Sequence, residues 1–170
     1  MFGDAHRDAR AIVVEVRPGT ASESERDDKM STVEQANRAL IDRFWSDLGR
    51  RDFDAVAGYF GEESHYTDVP APEEGAFGPA AIVARLRLGL EPLERYEPLD
   101  GRMVAGGDTV MLEHSEAWYW PSGEHVVLPF VSVFEIRDGV IMRWWDYWDM
   151  ATLMNVAPQW WVEHIMVGYQ

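Results

Sequence analysis

From Ser31 onward the hydrophobic positions of the chain fall into two periods, one helical and one alternating. The segment "STVEQANRALIDRFWSDLGRRD" places Val33, Ala36, Leu40, Ile41, Phe44, Trp45 and Leu48 at helical spacing. Ser31 stands as its N-cap, with Glu34 three residues on, which is the spacing of a capping box. "DFDAVAGYF" reads as a second, short helix. "SHYTDV" then alternates as a strand does, and Pro70 and Pro72 end it. "GPAAIVARLRLGL" predicts a third helix that stops near Gly89 and Pro92. Three strands follow, "TVMLEHSEAWYW", "HVVLPFVSVFEI" and "VIMRWWDYWDM", joined into a meander by the turn sequences "PSG" and "RDG". "ATLMNVAP" is a short helical exit capped by Asp149. The tail "QWWVEHIMVGYQ" is apolar enough that it should pack on the rest. Helices first and a run of strands last give an α+β fold, with N-terminal helices packed on one face of a cone-shaped, curved antiparallel sheet. The open mouth of such a cone is where a pocket forms.

Strand alternation sorts the side chains by face. In the last strand Met142, Trp144, Asp146 and Trp148 share one face. In the first strand of the meander Leu112, His114, Glu116, Trp118 and Trp120 lie together, and in "SHYTDV" Tyr66 and Asp68 do. Each strand therefore has a face that mixes ionisable groups with bulky apolar ones. An outward face has no need of that mixture, whereas a pocket for an apolar molecule and a few acid–base groups does. Asp146 is the sharpest case, because Trp144 and Trp148 flank it on its own face. Burying an unpaired carboxylate among indoles costs several kcal/mol. His65, His125 and His164 read as surface or satisfied histidines.

Composition narrows the chemistry. With 46% hydrophobic and 12% aromatic residues in 170, the chain can fill one core. Residues 18–31, "PGTASESERDDKMS", are small, polar and charged, so 1–30 read as a flexible arm, which leaves 31–170 as the folded domain. The absence of cysteine excludes disulfides, thiolate nucleophiles and thiolate metal sites. Lys29 is the only lysine and lies in the arm, so Schiff-base chemistry is not expected. A net charge of −15 argues against nucleic acid and anionic membrane as partners. The opening residues lack an apolar core of signal-peptide length, and a cytoplasmic protein is expected. There is no glycine-rich phosphate loop and no serine nucleophile elbow. His114 and Glu116 fall short of a metal-ligand set, so neither a metal nor another cofactor is expected.

The pieces "DFDAVAGYFGEESHYTDVP", "AFGPAAIV", "EHSEAWYWPSG" and "VSVFEIRDGVIMRWWDYWD" resemble, in order, the limonene-1,2-epoxide hydrolase branch of the nuclear-transport-factor-2-like (SnoaL-like) superfamily. The resemblance runs over 44–150. It implies the cone of the cystatin-like α+β barrel, often assembled as a homodimer. It also implies a site. In those hydrolases an Asp in "WRDYFD" activates water with the help of a Tyr and an Asn in "Y-x-N". A second Asp, in "R-x-D", protonates the epoxide, and the Arg joins the two acids. Here Asp146 and Tyr66 match the first Asp and the Tyr. Asp68 stands in place of the Asn, and His114 and Glu116 in place of the Arg and second Asp. An ionised Asp cannot donate to a water as Asn can, and a histidine is a cation only where its surroundings keep it so. Asp68, Glu116 and Asp146 would put three negative charges in one pocket, so at least one should hold a proton near neutral pH. His114 should lie near Glu116. Asp68 also resembles the proton-abstracting Asp of the ketosteroid isomerases of the same superfamily.

The expected catalytic set is thus Tyr66, Asp68, His114, Glu116 and Asp146, with Leu112, Trp118, Met142, Trp144 and Trp148 binding a small hydrophobic or aromatic substrate. The leading expectation is a cofactor-independent lyase or isomerase. Epoxide hydrolysis by Asp146 and Glu116 is the alternative, and a non-catalytic binding or dimerisation module is the third reading.

Overall fold

The computed structural model describes residues 31–168. Helix α1 (Thr32–Gly49) begins at the capping box, in which the Ser31 hydroxyl accepts from the Glu34 backbone and the Glu34 carboxylate accepts from the Ser31 backbone. It buries Leu40, Ile41, Phe44, Trp45 and Leu48 on one stripe, and leaves Val33 exposed. A one-turn α2 (Phe53–Ala57) leads into β1 (Phe60–Asp68). A two-residue β2 (Ala76–Phe77) precedes α3 (Gly78–Leu90). Then come β3 (Arg95–Gly106), β4 (Thr109–Tyr119), β5 (His125–Arg137) and β6 (Val140–Trp148), followed by α4 (Met150–Met154) and α5 (Gln159–Gly168). Asp149 caps α4 through the Thr152 backbone N–H, as its position predicts. The apolar tail packs as α5, burying Trp161 and Ile165.

The strands form one curved, unclosed sheet in the order β2-β1-β6-β5-β4-β3. Strands β3 to β6 are the antiparallel meander. β1 joins β6 in parallel, which departs from the fully antiparallel sheet expected. That parallel pairing sets Tyr66 opposite Trp144 and Asp68 opposite Asp146. Two residues far apart in sequence thereby meet on the concave face.

Two features were not legible in the pattern. β3 has Pro98, Gly101 and a run of exposed positions, so it lacks clear alternation; it is an edge strand with a bulge between Leu99 and Arg102. β6 is also irregular: its register with β5 shifts, Ile141 facing Ile136 and Arg143 facing Glu135. The extra residue is Met142, which is half-buried, while Ile141 is fully buried in its stead. The expectation that Met142 lines the site therefore fails, because a bulge inverts the alternation on one side of it.

The core is dominated by rings. Trp144 is stacked on Tyr66 at 4.0 Å between centroids and on Phe134 at 5.7 Å, with the edge of Phe44 5.0 Å away. Among the described residues no helix is long and apolar enough to cross a membrane.

Candidate active site

The alternation of β4 and β6 is kept where it matters: Leu112, His114, Glu116 and Trp118 are buried on one face of β4, and Trp144 and Asp146 on the same face of the sheet. Glu116 is 4% exposed, Asp146 3% and His114 3%. Asp68 and Trp148 sit nearby, less deeply buried.

Each of the three acids is held by an indole N–H. Trp144 donates to Asp146 at 2.6 Å, Trp118 to Glu116 at 2.8 Å and Trp148 to Asp68 at 2.9 Å. In the first two pairs the indole and the acid are two residues apart on one strand face, so the strand period itself sets the bond. The tryptophans expected to bind substrate are thus also the hydrogen-bond donors that make buried carboxyls tolerable.

The remaining partners differ sharply. Asp68 receives the Tyr66 hydroxyl at 2.8 Å, and two N–H groups of Arg85 at 2.9 and 3.0 Å on its second oxygen. Arg85 comes from α3, also pairs with Glu73, and has its guanidinium 5.5 Å from the Tyr66 ring centre. Glu116 receives only neutral donors, Trp118 and the Tyr96 hydroxyl at 2.8 Å. Asp146 likewise receives Trp144 and the Ser132 hydroxyl, at 2.5 Å, on one oxygen, with Tyr66 3.3 Å from the other. His114 and Glu116 share a face as expected, but the imidazole turns to Ser132, with Nε2 3.0 Å from its hydroxyl.

The electrostatics follow. Burial pushes Glu116 up to about 7, and the charge of Asp68 adds to this while the Tyr96 and Trp118 bonds oppose it. Burial pushes Asp146 well above the ordinary aspartate range, helped by the charges of Asp68 and Glu116 and opposed by Ser132 and Trp144. Burial raises Tyr66 and Tyr96 well above the ordinary phenol, Asp68 and Glu116 respectively adding to it. Burial pushes His114 down to about 4, so it is a neutral imidazole and no replacement for an arginine. One phenol proton cannot serve two acceptors. Tyr66 gives its proton to Asp68 at the shorter distance, so its contact with Asp146 is a hydrogen bond only when Asp146 is the protonated partner.

A cleft of about 600 Å³ between α1 and the β3–β4 ladder reaches this cluster, walled by Trp45, Tyr96, Met103, Leu112 and His114. Tyr96 and His114 are the two wall residues that touch the acid network directly. Of the residues expected from sequence, Leu112 and His114 line this cleft, while Tyr66, Asp68, Glu116, Trp118, Met142, Trp144, Asp146 and Trp148 are not among its lining residues. Ser132, Tyr96 and Arg85 were missed. Ser132 had a signal, being the lone hydroxyl in the inward row Val126, Leu128, Phe130, Ser132, Phe134 and directly opposite Asp146 in register. Among the described residues no group of three or more His, Cys, Asp or Glu side chains is arranged to hold a metal.

Residues 41–144 match the SnoaL-like domain family. The chain belongs to this family. Its fold is that of the nuclear-transport-factor-2-like superfamily, and solved structures agree. An LEH-like epoxide hydrolase of M. tuberculosis is 22% identical, with a TM-score of 0.62 over 80% of this chain and 96% of that one. A proposed polyketide cyclase of Xanthomonas campestris pv. campestris is 23% identical, with a TM-score of 0.66 over 73% and 98%. TerC, crystallised with polyporic acid, is 17% identical, with a TM-score of 0.61 over 71% and 97%. At these identities the likeness is one of fold. A search of curated proteins gave no match. The SnoaL-like relatives include small-molecule enzymes of the hydrolase and cyclase type, and the family also has non-catalytic members.

Proposed function

We propose that this SnoaL-like protein is a cofactor-independent general acid–base enzyme of the lyase or isomerase type, acting on a small apolar or aromatic molecule. The observation that carries this is the pair Asp146 and Glu116, both buried and both held by neutral donors alone. Two buried carboxyls that each hold a proton above its ordinary range allow one site to run both halves of a proton transfer. Glu116, near half ionised at neutral pH, is the base that takes a proton from substrate carbon or hydroxyl. Asp146, whose carboxyl burial holds well above the ordinary aspartate range, offers an O–H to the oxygen on which charge builds, and gives up that proton if a hydroxyl leaves as water. Asp68 serves as the fixed anion that orients Tyr66. Its four donors, two of them from a cation, occupy both of its oxygens. The cleft is of the size that small-molecule sites have, and its aromatic wall suits a ring.

The test is turnover on a panel of hydroxylated aromatic and polycyclic compounds, with Glu116→Gln and Asp146→Asn as controls. Loss of turnover in both variants with binding retained supports the reading. Binding with no turnover in the parent protein would make it a carrier.

Epoxide hydrolysis is the second reading, supported by Asp146 and Tyr66, which match the aspartate and tyrosine of that family pattern and lie 3.3 Å apart. Glu116 would then be the proton donor. Turnover of an epoxide in ¹⁸O-water separates the two readings: label in a diol product supports hydrolysis, and the lyase or isomerase reading predicts none.

A further inference from the structure

Glu116 is the proposed base, yet it is not in the wall of the cleft beside α1. It has one donor on each oxygen, the Tyr96 hydroxyl on Oε1 and the Trp118 indole on Oε2, both at 2.8 Å. Of these two only Tyr96 stands in the cleft wall. An indole N–H donates and accepts nothing, whereas a phenol oxygen can donate one hydrogen bond and accept another. His114 is the other wall residue that touches the acids, but its ring is already engaged by Ser132 and by the Ser115 backbone. Tyr66 is the contrasting phenol. It serves Asp68, which is paired with Arg85, and it is absent from the cleft wall.

The chain holds Tyr96 in this place. Register sets it opposite Trp118 on β4, with the two rings edge to face at 6.4 Å. Arg51 ties down the segment just before it, donating to the carbonyls of Leu90, Leu93 and Glu94 at 3.2, 2.7 and 3.4 Å.

We infer that Tyr96 is a catalytic residue, the group that meets the substrate in the cleft and carries the proton of a substrate hydroxyl to Glu116. This rests on the acid–base reading of Glu116, and it narrows the substrate to a ring compound that bears a hydroxyl. The phenol oxygen accepts the substrate proton as its own proton passes to Oε1. The substrate O–H and the old Tyr96 O–H break, a new Tyr96 O–H and a Glu116 O–H form, and the electron pair stays on the substrate oxygen. Tyr96 is neutral before and after. The same path run backwards returns the proton to the product or to water, and rotation of the hydroxyl restores the starting state. Such an exchange runs readily between oxygens and poorly from carbon, so a hydroxyl is the group it serves.

The test uses 2-naphthol and naphthalene as probes of the full chain. Ligand-observed NMR should show 2-naphthol binding at least tenfold tighter than naphthalene. Tyr96→Phe should cut that preference below threefold and leave naphthalene binding unchanged. Excited 2-naphthol is a strong acid that emits as naphtholate once it has lost its proton. At pH 8 the bound probe should emit as naphtholate in the parent protein, and as neutral naphthol in both Tyr96→Phe and Glu116→Gln. With a substrate in hand, each variant should lower kcat at least a hundredfold and the double variant little further, because the two residues act as one unit. A hydroxyl preference that is absent, or that survives Tyr96→Phe, overturns the inference, and so does naphtholate emission in that variant. Turnover lost in Glu116→Gln but kept within tenfold in Tyr96→Phe also overturns it while leaving the acid–base reading intact. Failure of that reading shows instead as a parent protein that binds and deprotonates 2-naphthol yet turns over nothing on the panel.

Discussion

Asp68 and Asp146 face each other across the β1–β6 pairing, and they are solvated in opposite ways. Asp68 has a guanidinium from α3 as well as two neutral donors. Asp146 is the more deeply buried and has neutral donors only. A cation beside a buried carboxylate repays the cost of its charge, while neutral donors repay only part of it. The first arrangement therefore fixes a charge in place. The second makes a proton easy to keep and possible to give. Glu116 belongs with Asp146, since its donors Tyr96 and Trp118 are neutral too, and the proposed chemistry rests on that contrast between an acid beside a cation and two acids without one.

The contrast can be broken most severely from the charged side. Arg85→Met leaves Asp68 in its half-closed corner without its cation. Removing one partner of a buried ion pair costs about 3–5 kcal/mol, and a urea titration of the folded protein should read a loss of that order. Adding Asp68→Leu to Arg85→Met should recover the part due to Asp68, the remainder being the loss of Arg85 from Glu73. A loss below about 1 kcal/mol would mean that Asp68 rotates into solvent, and the two aspartates would not differ as described.

Asp146→Asn attacks the other side. It keeps the shape and removes the exchangeable proton, so turnover should fall about a thousandfold, within the range general acid–base groups supply. Steady-state kinetics on whichever substrate the panel yields would measure it. A fall of less than tenfold would remove Asp146 from the chemistry.

The pH dependence of stability sharpens the comparison for Glu116. Its carboxyl lies at about 7 in the folded protein against an ordinary 4.5, so the folded state holds the proton more tightly than the unfolded one. No penalty exists below pH 4.5. It grows as pH rises through the window and is complete above about 7, so stability falls by about 3 kcal/mol across that range. Asp146 acts in the same direction from a lower starting point. Glu116→Gln should flatten this slope and make the protein more stable than the parent at pH 8. Urea midpoints at pH 5 and pH 8 for both proteins test it, and parallel slopes would show that Glu116 ionises without cost.

Much of this site could be seen in the sequence, because alternation is a local rule. Glu116 with Trp118, Asp146 with Trp144, and Tyr66 with Asp68 are each two residues apart, and each pair forms its bond on one strand face. The partners that decide protonation are not local. Arg85 sits in an apolar helix, and only the packing of α3 against β1 aims it at Asp68. Tyr96 lies on an edge strand whose proline, glycine and bulge hide its period. Met142 was misplaced for a related reason, since one inserted residue reverses the facing of everything before it. The family pattern pointed to a lost arginine at His114, but it could not show that a guanidinium arrives from another element and at another acid.

The mildest substitution bears most directly on which acid is the base. Asp68→Asn removes a charge that faces both Glu116 and Asp146, each of which that charge pushes up. The amide oxygen can still accept from Tyr66 and Trp148, and the NH₂ would face Arg85, which keeps Glu73 as its anion. If Asp68 only orients Tyr66 and biases its neighbours, turnover should change by less than tenfold, and the pH at which Glu116 titrates should move down. A loss of a thousandfold or more at every pH would make Asp68 the proton-abstracting group despite its cation. The fixed anion and the exchanging acids would then have to trade places. The direction of the shift in the pH–rate profile therefore carries more information than the size of the rate change, because a merely structural defect would lower the rate without moving the titration of a carboxyl on another strand.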